Sequence, residues 1–200
     1  MIKYFFATLV LVNLCLTSTK AQERKLYYDV IRNGKVIGNI NFVEIVSGQK
    51  TFYSMNSDVK TRVLFSFSDN TSETAAYDNG ILMYSSFYQK QTGSGEVTKT
   101  TLFIGKGYKI TNKDGEKIVN FNPIRFGMLK MYVNVPDTFT KIYSGNYQQL
   151  LDLKKLGENR FQLTMPDGKT NTYTYKNGIC TKVEIVRSLV SLQFVLRDTK

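Results

Sequence analysis

The sequence predicts a mainly β protein: a single curved antiparallel meander sheet that forms a half-barrel or open barrel, with one short helix. Turn pairs such as Asn33-Gly34 and Asn177-Gly178 recur along the chain, and such pairs adopt the positive φ angles that two-residue β turns require. The segments between them are rich in Tyr, Phe, Val, Ile and Thr, which favour a pleated surface. Several segments also alternate apolar and polar residues, which is the period of a strand with one buried face.

The first 21 residues have the pattern of a signal peptide. Lys3 precedes an apolar run from residue 4 to residue 16, and Thr19 and Ala21 place small residues three and one positions before Gln22. We predict cleavage before Gln22, so that residues 1–21 are a signal peptide and residues 22–200 are one β-rich domain. The mature protein is then exported, either to the periplasm or to the outside of the cell.

Two alternatives for the N-terminus are disfavoured by the same residues. The apolar run is shorter than the roughly 20 residues that a membrane-spanning helix needs, so we expect no stable membrane span after cleavage. Cys15 raises the alternative of a lipoprotein, but Leu14 stands where a lipoprotein signal carries a small residue. We therefore expect no lipid at Cys15.

Further turn signals divide the rest of the chain into short strands. Phe161, Leu163 and Met165 alternate with polar neighbours, as expected for a strand with one wet face. The apolar phase changes midway through Val36–Val46 and Thr181–Leu196, which predicts bulges that bend the sheet. The other predicted turns are Asp69-Asn70, Asp78-Asn79-Gly80, Asp114-Gly115 and Asp167-Gly168, with a loop tip at Gly93-Ser94-Gly95.

One stretch departs from the β pattern. The pair Asn122-Pro123 is typical of a helix start, and Ile124, Met128 and Met131 recur at helical spacing. We predict one short helix from Pro123 to Val133. A lone amphipathic helix buries its apolar stripe against the sheet, so this helix is expected to cover the open side of the barrel.

The charge of the chain does not indicate a nucleic-acid partner. The net charge is +11, and removal of residues 1–21 takes away Lys3 and Lys20, which leaves 25 basic and 16 acidic residues and a net charge of +9. The basic residues are scattered, with adjacent pairs only at Arg24-Lys25 and Lys154-Lys155. A nucleic-acid-binding surface concentrates Lys and Arg on one face instead.

No catalytic constellation is recognisable. The sequence contains no histidine, which removes the commonest general base and metal ligand. Cys180 is the one cysteine left after cleavage, so it has no intrachain disulfide partner and is predicted to be a small buried residue. The strand carboxylates, among them Glu44 and Glu73, are predicted to be solvated. We therefore predict a protein that is not an enzyme, with no catalytic residue, no metal site and no cofactor.

Short motifs along the chain carry a family resemblance. They are Tyr28 to Gly38, Met131-Tyr132, Val135-Pro136, Tyr143-Ser144, Pro166-Asp167-Gly168 and Tyr173 to Gly178. Together they resemble a family of uncharacterised exported proteins common in Bacteroidetes, which carry domain of unknown function 6134. The resemblance covers nearly all of the mature chain. It implies an exported β-rich domain and supplies no catalytic residues.

Large apolar side chains are abundant, with 13 Tyr, 13 Phe and 6 Met. They suffice for an ordinary β core, but a curved sheet also leaves room for an apolar pocket beneath the helix. We take Phe126, Met128, Met131 and Tyr132 as candidate ligand-binding residues, because Met and aromatic side chains adapt to apolar ligands.

Three functions remain open from the sequence alone. The preferred one is a non-enzymatic exported envelope protein that binds a lipid-like or other apolar small molecule. The first alternative is a protein-interaction or scaffolding module with a filled core, whose partner would be another envelope protein. The second is a carbohydrate-binding module that uses exposed Tyr side chains as stacking platforms.

Overall fold

The computed structural model describes residues 21–62, 66–186 and 191–200. The predicted signal peptide, apart from Ala21, lies outside the described residues, and so does Cys15. Within the described part of the chain, no helix is both long and apolar enough to cross a membrane.

Strands make up most of the described chain, and they form one antiparallel sheet. The prediction of a mainly β protein with a single curved sheet is confirmed. One 3₁₀ helix, Met128–Tyr132, follows the eighth strand. The strands are β1 (Gln22–Arg32), β2 (Lys35–Ser47), β3 (Lys50–Arg62), β4 (Ser66–Asp78), β5 (Ile81–Gln91), β6 (Gly95–Phe103), β7 (Tyr108–Asn112), β8 (Gly115–Val119), β9 (Lys141–Ser144), β10 (Gln149–Gly157), β11 (Arg160–Thr164), β12 (Thr170–Lys176), β13 (Ile179–Val186) and β14 (Ser191–Thr199).

The sheet is built from two meanders, β1 to β8 and β9 to β14, in which consecutive strands pair. The first and last strands also pair, from Leu26 opposite Thr199 to Ile31 opposite Gln193. This pairing joins the two meanders into one sheet. The order across the sheet is β8-β7-β6-β5-β4-β3-β2-β1-β14-β13-β12-β11-β10-β9.

The two edges of the sheet, β8 and β9, are not joined by a backbone ladder in the residues described. Side chains connect the two ends instead. The amide of Gln148 donates to the carbonyls of Thr100 on β6 and Thr111 on β7, at 2.8 and 3.1 Å. The hydroxyls of Tyr143 on β9 and Thr101 on β6 lie 2.6 Å apart. The sheet therefore forms an open barrel whose seam is bridged by side chains.

Turns and bulges largely follow the sequence. Asn33, Asn79 and Asn177 have φ angles of 48°, 49° and 51°, and each precedes a glycine with positive φ, the combination that closes a two-residue hairpin. Both segments predicted to contain a bulge contain one. The β1–β2 pairing shifts by one residue and leaves Ile37 in β2 as the extra residue, and the β12–β13 pairing does the same at Thr181 in β13.

The predicted turn at Asp69-Asn70 is wrong, because both residues lie inside β4. Asp69 pairs with Val59 on one side and with Gln91 on the other. Its carboxylate accepts hydrogen bonds from Gln89 on β5, whose Nε2 lies 3.0 Å from each oxygen. A cross-strand side chain thus satisfies an aspartate that would bond its own backbone in a turn.

The predicted helix from Pro123 to Val133 is too long, because only its second half is helical. The backbone of the first half makes lateral hydrogen bonds instead. The Ile124 amide donates to the Tyr108 hydroxyl at 2.8 Å, the Ile124 carbonyl accepts from Leu82 at 2.8 Å, and the Phe126 carbonyl accepts from Tyr143 at 3.0 Å. A backbone that is bonded to three strands cannot also form helical hydrogen bonds.

The 3₁₀ helix fills one part of the barrel interior with an aromatic core. The ring of Tyr132 lies 5.4 Å from that of Tyr28 and 5.2 Å from that of Phe42, centroid to centroid. Met131 is fully buried beside them. The Tyr28 hydroxyl donates to the Cys180 carbonyl at 2.7 Å, and Cys180 is buried, as the sequence predicted.

Candidate ligand-binding cavity

A cavity of about 840 Å³ occupies the part of the barrel interior that the 3₁₀ helix leaves open. Ligand-binding pockets in proteins commonly measure roughly 300–1,000 Å³. Arg32 and Gln91, the last residues of β1 and β5, belong to the lining. The cavity therefore extends from the helix to one end of the barrel.

The inward-facing positions of the strands give the cavity two chemically different walls. Alternation along each strand puts every second side chain inside, so the lining follows the residue types at those positions. The apolar wall comes from β2, β13 and β14 and consists of Ile37, Ile40, Val183, Ile185, Leu192 and Phe194. The polar wall comes from β4 and β5 and consists of Asp69, Thr71, Glu73, Gln89 and Gln91.

Glu73 lies at the inner end of the polar wall. Asp69 and Thr71 precede it along β4 and also line the cavity, whereas Ala75 and Tyr77, which follow it on the same face, are buried in the filled core. The Glu73 side chain lies beside the turn after β9, where a Cβ on Gly145 would be only 3.0 Å from its Oε1. The glycine therefore leaves room for the carboxyl group.

Glu73 is buried without a partner. The residue is 8% exposed, and no hydrogen bond or ion pair to its carboxyl group is found among the described residues. Removal from water disfavours the charged form of an acid, and burial raises the pKa of Glu73 to about 7. The carboxyl group therefore titrates near neutral pH.

The other polar groups of the wall are mostly satisfied. Asp69 accepts from Gln89, as described above, and from the Thr71 hydroxyl at 3.2 Å. Asn171 on β12 lies outside this wall, and its Oδ1 is buried with no hydrogen-bond partner within the described residues. Asn171 and Glu73 both belong to the lining of the cavity.

The four candidate ligand-binding residues are divided between the cavity and the core. Met128 and Tyr132 line the cavity. Met131 is fully buried in the filled core, and Phe126 packs on Phe139 with ring centroids 4.6 Å apart. Phe126 and Met131 are not part of the cavity lining. Ligand binding by Met128 and Tyr132 stays a prediction.

The sequence analysis missed Glu73, which it treated as solvated. A signal was present in the sequence. Glu73, Ala75 and Tyr77 follow one another at intervals of two residues, so their side chains share one face of the strand. A face that carries a large aromatic residue is more often the buried one. Glu44 is also 8% exposed, but it has an ion pair with Arg24 at 3.5 Å and does not line the cavity.

No metal centre is visible in the part of the chain that is described, since no three of its His, Cys, Asp and Glu residues are grouped closely enough to hold an ion. The walls of the cavity offer apolar contact on one side and hydrogen-bonding groups on the other.

Comparisons with known proteins identify a family and a fold. The family described as Domain of unknown function (DUF6134) matches residues 28–197 of this chain. A crystal structure of a beta-barrel-like protein of domain of unknown function DUF1849 from Brucella abortus is similar to this chain, with a TM-score of 0.53 and 11% sequence identity. The match covers 89% of this chain and 97% of that protein, and at this identity it shows the fold alone. No curated protein matches the sequence.

Proposed function

This chain belongs to the DUF6134 family, a domain of unknown function. We propose that it is a non-enzymatic exported protein whose cavity binds a lipid-like or other apolar small molecule. The observation that carries the proposal is the cavity of about 840 Å³ with its continuous apolar wall. An interior space that reaches one end of the barrel, and is walled by aliphatic and aromatic side chains, suits an apolar guest.

The two alternatives have less support from the described residues. A filled core would favour a protein-interaction module, but only the part of the barrel around the 3₁₀ helix is filled. A carbohydrate-binding strip needs several exposed aromatic rings, and the exposed aromatic residues of the described chain are Phe52 and Tyr84.

The residues also favour binding over catalysis. Burial raises the pKa of the Cys180 thiol to about 12, so it is not a ready nucleophile. Asp69 and Glu73 are the carboxylates of the lining, but four residues of strand separate their Cα atoms by roughly 13 Å. Acid and base pairs in glycosidases have their carboxyl groups about 5 to 10 Å apart, and the Asp69 carboxylate is already held by Gln89 and Thr71.

The proposal is tested with N-phenyl-1-naphthylamine, a neutral apolar dye whose fluorescence rises on leaving water. We expect saturable binding to the mature protein. Val59→Phe should weaken it, because Val59 lines the cavity and the larger ring takes up space there. Val36→Phe is the matched control, since Val36 is 60% exposed and is not part of the lining.

Melting curves of both variants show whether the fold is kept. Absence of dye binding to the wild type would contradict the proposal, and so would equal binding to wild type and a folded Val59→Phe variant. Native mass spectrometry of protein purified from its own cell envelope would then identify any ligand that copurifies.

A further inference from the structure

One hydrogen-bond acceptor in the cavity, the Glu73 carboxyl group, lacks a partner among the described residues. Glu73 is more than nine-tenths buried and belongs to the lining. Leaving a buried polar group unsatisfied is unfavourable. A ligand that donates hydrogen bonds would satisfy the ionised Glu73 carboxylate, whereas a ligand that only accepts them would not.

The charges of the lining point the same way. Its charged residues are Arg32, Asp69 and Glu73, so an ionised Glu73 leaves one excess negative charge. Asp69 is already held by Gln89 and Thr71. Arg32 ends β1, at the far end of the cavity from the helix. The inner end of the polar wall is therefore acidic, and a carboxylate or phosphate placed there would be repelled.

We propose that the ligand is an amphiphile whose polar end donates hydrogen bonds, with a primary ammonium group as the best fit, and that Glu73 binds this end. This inference rests on the proposed function, because it assumes that the cavity holds an apolar molecule. The ligand body lies along the apolar wall and its polar end points to the inner part of the polar wall. The Glu73 carboxylate would also bind a hydroxyl group, but without the attraction between opposite charges.

Among the described residues, no cation forms an ion pair with Glu73 in place of the ligand. Its cross-strand neighbours, Met55 and Phe87, are apolar. Lys99 on β6 donates to Asn146. The aromatic hydroxyls near Glu73 stay neutral, because burial raises the pKa of each of them: Tyr77, Tyr132, Tyr143 and Tyr173.

Lys130 of the 3₁₀ helix is also engaged elsewhere. Its Nζ lies 4.0 Å from the centroid of the Tyr77 ring and donates to the Arg125 carbonyl at 2.8 Å. Glu73 is therefore the group whose titration near pH 7 would control the binding of an ammonium ion.

The test compares three probes with the same 12-carbon chain: dodecylamine, dodecan-1-ol and dodecanoate. Dodecylamine and dodecanoate are titrated below their critical micelle concentrations, and dodecan-1-ol below its aqueous solubility, into the mature protein by calorimetry at pH 8, where Glu73 is mostly ionised. We expect dodecylamine to bind about 10- to 100-fold more tightly than dodecanoate, the range expected for a hydrogen bond to a charged group. Dodecan-1-ol should fall between them.

Glu73→Gln should remove this preference, because the amide keeps the shape of the side chain without its charge. Glu44→Gln is the matched control: it changes an equally buried glutamate outside the cavity and should keep the preference. A measurement without any variant supports the same conclusion. The preference of the wild type should weaken at pH 5.5, because Glu73 is then protonated while the amine stays charged.

The possible results separate the two proposals. If none of the three probes binds, the proposed function and this inference both fail. If all three bind equally, or dodecanoate binds most tightly at pH 8, the cavity binds apolar molecules but the headgroup inference is wrong. The headgroup inference is also wrong if a folded Glu73→Gln variant keeps the full preference for the amine.

Discussion

Replacing Glu73 by Gln should make the folded protein less sensitive to pH. The folded state raises the pKa of Glu73 from 4.5 to about 7, so between these values the folded protein holds a proton that the unfolded chain releases. The contribution of Glu73 to the stability of the wild type is therefore greatest below about pH 4.5 and is lost as the pH rises through 7. A shift of this size at 1.36 kcal/mol per pKa unit corresponds to a loss of about 3 kcal/mol by pH 8.

Glutamine carries no titratable charge, so the variant lacks this loss. At each pH, the free energy of unfolding of Glu73→Gln is compared with that of the wild type. We expect the difference, variant minus wild type, to be about 3 kcal/mol more positive at pH 8 than at pH 4.5. Urea unfolding curves at pH 4.5, 5.5, 6.5, 7.5 and 8 measure this difference. The dependence of the unfolding free energy on urea concentration should be the same for both proteins. Other groups, including Lys130, whose pKa burial lowers to about 8, are present in both proteins and cancel.

Glu44→Gln serves as the control for removal of a buried carboxylate, because Glu44 is paired with Arg24. It should not reproduce the relative gain at high pH. The reasoning is refuted if the difference in the free energy of unfolding between wild type and Glu73→Gln is the same at pH 4.5 and at pH 8. It would mean that Glu73 is solvated or paired in solution.

Three further predictions concern other parts of the chain. Met131→Ala should lower the free energy of unfolding by about 2 to 5 kcal/mol, the usual range for a buried Met, and should retain dye binding. Met128→Ala should cost less stability and should weaken dye binding. Urea unfolding and dye titration on both variants test this, and the reverse pattern would contradict it. Added dithiothreitol should leave the melting temperature nearly unchanged, because Cys180 is a free buried thiol, and Cys180→Ser should cost no more than the loss of a small buried group; a large shift with reductant would indicate an intermolecular disulfide. Intact mass of the secreted protein should correspond to a start at Gln22, and recovery of a chain that retains Met1 would disprove cleavage.

Much of the fold could be predicted from local residue patterns. Turns at Asn33-Gly34, Asp78-Asn79-Gly80 and Asn177-Gly178 are local, because the backbone angles that Asn and Gly tolerate decide them. The bulges in Val36–Val46 and Thr181–Leu196 were also predictable, since a change of apolar phase moves side chains to the other face unless an extra residue is inserted.

The predictions that failed depended on distant partners. Asp69-Asn70 has the composition of a turn, but Gln89 on the neighbouring strand holds the Asp69 carboxylate. The first half of the predicted helix is extended because Tyr108, Leu82 and Tyr143 bind its backbone. None of these partners can be recognised from the residues within the segment itself.

The sequence by itself determined the strands, most of their turns and the use of one curved sheet, because these follow from short-range backbone preferences and the period of two. Tertiary structure decided the rest. The pairing of Leu26–Ile31 with Gln193–Thr199 joins chain ends more than 160 residues apart, and it turns two meanders into one open barrel. That closure places Glu73 and Asn171, which come from different meanders, on the lining of one cavity. A glutamate on a strand can face water or the interior, and the curvature of the whole sheet decides which face lies inside.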